Sequence, residues 1–382
     1  MEKDLNDIRT RLDEIDTRLT GLFAERMRTV AQVATYKKEH GLPILDTARE
    51  REVLNRVTLD AGQDLEHYMK ILYQTLFSVS RAYQADRLGA DSPLAEMLTQ
   101  AAASRKDALP NRAMVACQGT EGAYSQQACQ RLFEYPDILY MNTFGDVFNA
   151  VEKGMCPYGV LPIENSTAGS VTQVYDLMEK HRFHIVRAVR QRVSHRLLAM
   201  PGARLTDITE VVSHEQALRQ CGAFLAQHPG IRVTAMDNTA VAARYVAESG
   251  RRDLAAIASE SSGALYGLNV LPEAVMDSDS NFTRFILITR DLALYDGANR
   301  ISLMLTAAHR PGSLYRLLSH IAAADVNLTK LESRPIPGSD FEFRFFFDIE
   351  ASISEESTIR LIDQLSREAD RFVFLGNYEE LR

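Results

Sequence analysis

The sequence has no run of eighteen apolar residues and no apolar stretch in its charged first thirty positions. Neither a membrane-spanning helix nor a secretory leader is therefore expected. It also lacks an excess of positive charge: 43 Lys and Arg stand against 51 Asp and Glu, giving a net charge of −8 and a pI near 5.7. That balance argues against a non-specific nucleic-acid binder, and a site for an anionic metabolite must gather its cations locally. Cysteine is scarce and scattered. Cys117, Cys129, Cys156 and Cys221 form no C-x-x-C, and without a leader they are expected to be reduced structural thiols in a cytoplasmic protein. Between residues 113 and 292 there is no Walker loop, dinucleotide fingerprint, zinc motif or G-x-S-x-G elbow. His181 and His184 alone are too little for a metal site, so neither metal nor cofactor is expected. Internal repeats and low-complexity tracts are missing too.

What is present has three textures. At 382 residues the chain exceeds what one hydrophobic core ordinarily holds, so two or three domains are expected. Residues 3–39 read as one helix, because Leu5, Ile8, Leu12, Ile15, Leu19, Leu22, Met27, Val30 and Val33 recur at spacings of mostly three and four. Gly41-Leu42-Pro43 ends it; a second helix is expected from Asp46 to about Leu59 and a third from about Glu66 to Leu88. A helix of that length spans about 55 Å, too long to bury its stripe within about ninety residues, so a partner chain is its natural cover. Residues 91–112 are small, polar and proline-containing, as in a linker with one short helix. Across 113–295 short strand-like runs (Met114–Cys117, Tyr158–Leu161, Glu210–Val212, Arg232–Ala235, Leu254–Ala258, Phe285–Ile288) alternate with helical stretches, the texture of an α/β domain with a mainly parallel sheet. Residues 299–382 read β-α-β-β-α-β with a turn at Pro337–Asp340, the ferredoxin-like order of an α+β domain. Within it Phe341–Phe347 is apolar on both faces, as expected of a strand covered by a partner subunit. The fold class is multidomain: all-α in 1–90, then α/β, then α+β.

Arg26 and Lys37 are eleven positions apart, so on one helix they lie within about 20° and about 16 Å of each other, and two long side chains can converge. Arg9, seventeen positions before Arg26, is rotated by about 100° and displaced by about 25 Å. It cannot serve that pocket from the same helix, but it can serve the pocket of an antiparallel second chain. Asp46, Arg49 and Glu50 share a face at i, i+3 and i+4, as do Ser80 and Gln84. A single arginine on a helix is most often a solvated charge. The set is different: Ile8-Arg9, Ala24-Glu25-Arg26, Lys37, Asp46 through Glu52 and Ser80-x-x-x-Gln84 together resemble the all-helical chorismate mutase family over residues 5–88. The resemblance implies a swapped homodimer with mixed sites. Chorismate, a dianion, rearranges without nucleophile or proton transfer, so such a site works by holding a compact conformer and stabilising charge on the breaking ether. By the same resemblance, Arg26 and the partner subunit's Arg9 clamp carboxylates with help from Ser80. Lys37 and Gln84 donate to the ether oxygen, while Glu50 and the Asp46–Arg49 turn hold the ring hydroxyl.

The middle stretch carries small polar motifs at expected strand–helix junctions: Gln118 through Ser125, Pro162-Ile-Glu-Asn-Ser166-Thr-Ala-Gly169, Ser213-His214-Glu-Gln216, Asn238-Thr239-Ala240 and Asn281-Phe-Thr283-Arg284-Phe285. Ser125, Ser166 and Thr239 fall where helices are expected to begin, so helix capping is the plain reading of each. The same geometry offers backbone N–H groups to an anion. Taken together the motifs resemble prephenate dehydratase across nearly all of 113–292, departing from it at the flanking residues Thr120 and Glu215. The resemblance implies two α/β lobes around a cleft, in the manner of a periplasmic binding protein. Prephenate would lose carbon dioxide and its ring hydroxyl there, with Thr283 as proton donor or orienting group and Arg284 on a carboxylate. Asn165, Ser166, Gln216, Thr239 and Ser125 would line the cleft.

Residues 299–382 resemble an ACT regulatory domain of the phenylalanine-sensing type. The resemblance rests on Pro311-Gly312-Ser313-Leu314 opening a helix and Glu332-Ser333-Arg334-Pro335 ending a strand, with Ser313 where the family more often has alanine. A Pro-Gly helix start is ordinary by itself. The pair implies phenylalanine at the junction of two such domains, with Asn327 and Leu328 beside it, and a dehydratase that ignores phenylalanine when the chain is cut at about 297. The expected enzyme is a homodimer, or a tetramer, of an isomerase joined to a carbon–oxygen lyase. Arogenate as the second substrate, and an inert amino-acid-sensing protein, are the competing readings.

Overall fold

The computed structural model describes residues 4–88, 92–336, 338 and 342–381, and it divides into two compact units, residues 1–96 and 97–382. The expected turn at Pro337–Asp340 therefore lies mostly outside the described residues, and so does Phe341. Among the described residues no helix is long and apolar enough to cross a membrane.

The first unit is helical. α1 runs Leu5–Glu39 behind an Asp4 cap, and Gly41 at φ 63° turns the chain back. α2 is Thr47–Ala61, started by Asp46, whose carboxylate accepts from Arg49 N at 3.0 Å; α3 is Glu66–Leu88. In these helices only Ala34 and Phe77 are buried among the described apolar side chains. The stripe that predicts α1 is open to solvent, with Leu5, Ile8, Leu12, Leu19 and Leu22 each 45–60% exposed. A contiguous exposed apolar stripe of this length is unusual on a soluble monomer.

α4, Pro93–Ala103, occupies the expected linker. Its sequence is alanine-rich and amphipathic, and Leu98 and Ala101 are buried. Beyond it Lys106 pairs with Leu294 and Asp296 through its backbone, so this segment is tied down rather than free.

The first lobe follows with β1 (Arg112–Gln118), α5 (Tyr124–Leu132), β2 (Tyr135–Met141), α6 (Phe144–Glu152), β3 (Tyr158–Asn165), β4 (Gly169–Ser170), α7 (Thr172–His181) and β5 (His184–Arg192). Only two residues separate β5 from β6 (His195–Ala199), which carries the chain into the second lobe: β7 (Glu210–His214), α8 (Glu215–Arg219), α9 (Gly222–Gln227), β8 (Arg232–Met236), α10 (Thr239–Ser249), β9 (Leu254–Ser259), α11 (Glu260–Tyr266) and β10 (Asn269–Val270). β11, Phe282–Thr289, brings it back. The parallel pairs β1/β2, β1/β3, β7/β8 and β7/β9 are the α/β layering the sequence suggests. The sheets are nevertheless mixed, not mainly parallel. The return strand β11 runs against β3 and β5, and the outgoing strand β6 runs against β9 and β10. The chain leaves the first lobe at the Arg192 end of β5 and re-enters beside it at Phe282, so β11 runs antiparallel to β5.

The last stretch is β12 (Arg300–Thr306), α12 (Ser313–Ala323), β13 (Asn327–Pro335), β14 (Phe343–Glu350), α13 (Glu356–Glu368) and β15 (Arg371–Leu381), with spatial order β13-β14-β12-β15. β15 is longer than its apolar start suggests. Glu379–Leu381 pair in parallel with Arg187–Val189 of β5, so the first-lobe sheet continues into the C-terminal one. One core serves both: Phe148, Tyr175 and Met178 of the lobe pack with Met304, Phe346, Leu375 and Tyr378. Tyr175 and Phe346 have ring centroids 4.4 Å apart. This corrects the expectation for Phe341–Phe347, since Phe346 is covered by the chain's own lobe. It also means that cutting at about 297 removes the neighbour of β5 along with the C-terminal strands.

Where β15 crosses from β12 to β5, Gly376 has φ 149° and an added Cβ would press on Ile185 O and lie 2.7 Å from Ile185 N. Gly376→Ala should therefore cost stability at the upper end of the roughly 1–3 kcal/mol usual for overpacking. Thermal unfolding should show the loss in the transition of residues 97–382; an unchanged midpoint would mean the β15–β5 contact is dispensable.

Candidate functional site

In the helical unit Arg26, Lys37, Asp46, Arg49, Glu50, Ser80 and Gln84 all line one cavity of about 360 Å³. Helix periodicity brings them there. Phe77, Ser80, Arg81 and Gln84 at i, i+3, i+4 and i+7 present one face of α3, while Arg26 and Lys37 share a face of α1. Arg26 donates to Ser80 Oγ, and Lys37 Nζ reaches Ile44 O at 2.5 Å. Gln84 Nε2 donates to Ser80 O at 3.2 Å, and its buried Oε1 has no partner among the described residues. Arg81 and Arg56 also line the cavity, and sequence reasoning passed over both. Arg81 holds Glu50 at 2.5 Å; the spacing that picks out Ser80 and Gln84 would have found it. Asp46 caps α2, and Arg49 pairs with Glu52 at 2.7 Å on the surface. Arg9 is exposed on α1 and does not line this cavity.

Between the lobes the polarity of a second site follows from two backbone groups. Asn165 Oδ1 accepts from Thr167 N at 3.1 Å and Ala168 N at 2.9 Å. An N–H group only donates, so this amide has one possible orientation. Its Nδ2 donates to Asn281 Oδ1 at 2.8 Å and to Thr283 Oγ1 at 2.9 Å. Asn281 Nδ2 donates to Gln220 Oε1 at 2.9 Å, Gln220 Nε2 to Thr167 Oγ1 at 2.8 Å, and Thr167 Oγ1 to Asn165 Oδ1 at 2.7 Å. The four side chains close a ring in which every donor points the same way. Thr283 joins it as an acceptor, so its own proton remains available to something else. Gln220 ends α8 in the second lobe, whereas Asn165 and Thr283 are paired neighbours on β3 and β11, so the ring also ties lobe to lobe.

Ser166 does not cap a helix. Its Oγ accepts from Phe282 N at 3.0 Å and fastens the Asn165 turn to β11. Thr239 is the first residue of α10, but the cap is Asn238, which accepts from Val241 N at 2.8 Å. Ser125 lies inside the first turn of α5 behind an uncapped Ala123, and Gln216 lies in the first turn of α8, its N–H donating to His214 Nδ1 at 3.3 Å. Among the described residues, no hydrogen bond links Ser125, Gln216 or Thr239 to the ring. Arg284 corrects the expectation for it most. Successive strand residues face opposite ways, and Arg284 points away from Thr283 into ion pairs with Asp348, Glu164 and Glu380. In the C-terminal module Ser313 and Leu314 line a cavity of about 380 Å³ with Pro311, Phe343 and Phe345, beside Gly312, whose φ is 81°. Glu332 is elsewhere, bonded to Ser170 at 2.5 Å and to Arg334 at 2.8 Å; Asn327 pairs with Glu350 at 2.8 Å. Leu328 and Ser333 lie on the same edge strand, β13, paired with β14.

Sequence reasoning quoted Asn281 and Thr167 within its motifs but gave them no role, and it missed Gln220 and His195. His195 Nε2 lies 3.2 Å from Gln220 Oε1, and Tyr124 OH is 3.4 Å from its Nδ1. A carbonyl oxygen only accepts, so His195 carries its proton on Nε2. Burial pushes its pKa from 6.5 down to about 4, with neighbouring His214 acting the same way and the Gln220 bond opposing them.

Residues 115–293 match the family model described as prephenate dehydratase, and residues 8–85 the one described as chorismate mutase type II. The bifunctional chorismate mutase/prephenate dehydratase of Escherichia coli is 30% identical over 99% of this chain and 96% of its own length. Arogenate dehydratase/prephenate dehydratase 2 of Arabidopsis thaliana is 35% identical over 78% of this chain and 81% of its own. Among solved structures, a prephenate dehydratase from Arthrobacter aurescens in complex with L-Phe matches 70% of this chain and 89% of its own, at a TM-score of 0.63 and 27% identity. A chain described as a quorum-quenching acylase matches 70% of this chain and 98% of its own, at a TM-score of 0.63 and 32% identity.

The neutral His195 sets a pH dependence. Unfolded, it binds a proton at about 6.5; folded, only near 4, so between those values the unfolded state holds more protons and stability rises with pH. On the order of 3 kcal/mol is lost as pH falls through that window. Denaturant titration at both ends should show a smaller difference for His195→Gln than for the parent. An equal difference would mean that His195 is not held neutral.

Proposed function

The chain belongs to the bifunctional chorismate mutase/prephenate dehydratase family, and from that premise we propose how its residues divide the work. It converts chorismate to prephenate, and prephenate to phenylpyruvate with loss of carbon dioxide and water. The first reaction falls to the helical cavity and the second to the ring between the lobes. The gathering of Arg26, Lys37, Glu50, Ser80 and Gln84 around one cavity carries this assignment. Arg26 and Ser80 take a carboxylate, Lys37 donates to the ether oxygen as charge builds there, and Glu50, steadied by Arg81, holds the ring hydroxyl. Gln84 turns its amide to the same ether. The exposed α1 stripe supports a dimer in which the partner subunit's Arg9 completes the cavity.

In the dehydration the ring C–O bond breaks, and the oxygen takes one proton to leave as water. The carboxylate departs as carbon dioxide, and its bonding pair aromatises the ring. Thr283, whose hydroxyl accepts from Asn165 and keeps its proton, donates toward the leaving oxygen. The C-terminal module is assigned to the ACT type, as its β-α-β-β-α-β order and strand arrangement support. Phenylalanine binds at Gly312–Leu314, with its ring against Leu314, Phe343 and Phe345 and its charged ends met in a dimer by Glu332–Arg334, and it restrains the dehydratase. The L-Phe complex of a relative favours this ligand. The Arabidopsis relative's name favours arogenate as a second substrate, which parallel rates on both would decide.

Lys37→Ala should lower mutase turnover by about 10²–10³-fold and spare the dehydratase. Thr283→Ala should do the reverse, and Thr283→Ser should keep part of the rate. Near-normal mutase turnover in the first, or equal dehydratase rates for Ala and Ser, would refute the respective assignment. Arg9→Ala and Arg26→Ala chains, each nearly inactive as mutases, should regain turnover on mixing and refolding; if they do not, the shared site is wrong. For the sensor, titration calorimetry on Leu314→Glu should show phenylalanine bound at least about tenfold more weakly than by the parent chain. Equal affinity would place the ligand elsewhere.

A further inference from the structure

Thr283 and Arg284 are adjacent on β11 and face opposite ways. Asn165 and Glu164, their partners on β3, do the same. One face thus carries the ring of amides and the Thr283 hydroxyl. The other carries Arg284 and Glu164, and everything that holds these two charges is notable for where it comes from. Arg284, 9% exposed, pairs with Asp348 of β14 at 2.8 Å and Glu164 at 3.1 Å, with Glu380 of β15 at 3.7 Å. Glu164 Oε2 is shared with Lys330 of β13 at 3.3 Å, and Lys330 lies 3.2 Å from Glu332. Glu332 in turn reaches Ser170 on β4, at the far side of the Asn165 turn.

Both strands that bear the dehydratase residues are therefore gripped, from behind, by side chains of the C-terminal module. We propose that Asp348 is the positioning residue through which that module governs the dehydratase, acting on Thr283 by way of Arg284. This rests on the reading that the module binds phenylalanine.

Asp348 suits the role because it is fixed at both oxygens. Arg284 takes one, and Ser302 Oγ donates to the other at 2.6 Å, with Tyr378 OH 2.8 Å from Ser302 Oγ. A guanidinium this deeply buried keeps its carboxylate, so a shift of β14 against the lobe either carries β11 with it or leaves a charge unpaired. Beside these side chains lies a polar cavity of about 220 Å³, which gives the network room to re-pair instead of breaking. Ligand binding at the module shifts the dehydratase only by favouring one of two such arrangements.

The test uses the full chain and three readouts: phenylalanine affinity by calorimetry, its inhibition of dehydratase turnover, and mutase turnover. Asp348→Asn keeps the shape and removes the charge. Affinity should stay within about threefold, mutase turnover should not change, and the fraction of dehydratase turnover that survives saturating phenylalanine should rise severalfold. Ser302→Ala keeps every charge and loosens Asp348. It should move inhibition the same way by a smaller factor, and it decides the matter if Asp348→Asn does not fold. In an Arg284→Gln background Asp348→Asn should add nothing, since both act through one contact. Parent-like inhibition in both single variants would overturn the proposal, as would a loss of affinity that accounts for the loss of inhibition. A parent chain that neither binds phenylalanine nor responds to it would remove the sensor reading itself, and this inference with it.

Discussion

A buried guanidinium constrains this molecule more than any apolar contact does. Arg284 sits in the strand that returns between the lobes, and an unpaired charge there would be intolerable. Three carboxylates meet it, two of them from strands that come after residue 340 in the sequence. The first lobe cannot hold β11 in this form without the C-terminal sheet beside it. The shared core of Phe148, Tyr175, Phe346 and Tyr378 and the β15–β5 pairing follow the same geometry. What looks like an appended module in the sequence is, in the fold, the far wall of the dehydratase lobe.

On the opposite face of that strand, polarity is set by direction instead of charge. Two backbone N–H groups orient one asparagine, and the orientation passes through Asn281 and Gln220 to Thr167 and back. None of the three amides in the ring can be flipped alone, because a donor would then face a donor. A hydroxyl attached to such a ring has its hydrogen-bonding role assigned before any ligand arrives.

The sequence reveals the local parts of this design and hides the long-range ones. The periodicity of Leu5 through Val33 gives α1, and the spacing of Ser80 and Gln84 gives one wall of the helical cavity, because both are properties of a single helix. The motifs around Asn165 and Thr283 are found, and they are indeed paired neighbours. Arg284 is misread because a motif is read as one object, while a strand divides it between two faces. Ser166 is misread as a cap, since its partner Phe282 is distant in sequence and leaves no mark in its own neighbourhood, while at α10 the cap falls one residue before Thr239, on Asn238. Gln220 and His195 lie outside any recognisable signature. β15 is underestimated for a similar reason: Gly376 through Leu381 lacks an apolar run, and pairing with β12 as far as Tyr378 and then with β5 carries the strand on.

The position of β15 also bears on when the protein can form. A ribosome releases a chain from its N-terminus, and domains ordinarily fold in that order as they emerge. The helices of the first unit are free to do so. The first lobe opens with β1 at Arg112, yet its sheet is completed only by Glu379–Leu381, at the very end of the described chain. Until those residues emerge β5 waits with an unpaired edge, and the charge of Arg284 waits for Asp348 and Glu380. Final assembly of the lobe is thus deferred until Glu379–Leu381 have emerged, and in that interval the second lobe, self-contained between β6 and β10, is the part of this unit able to settle on its own.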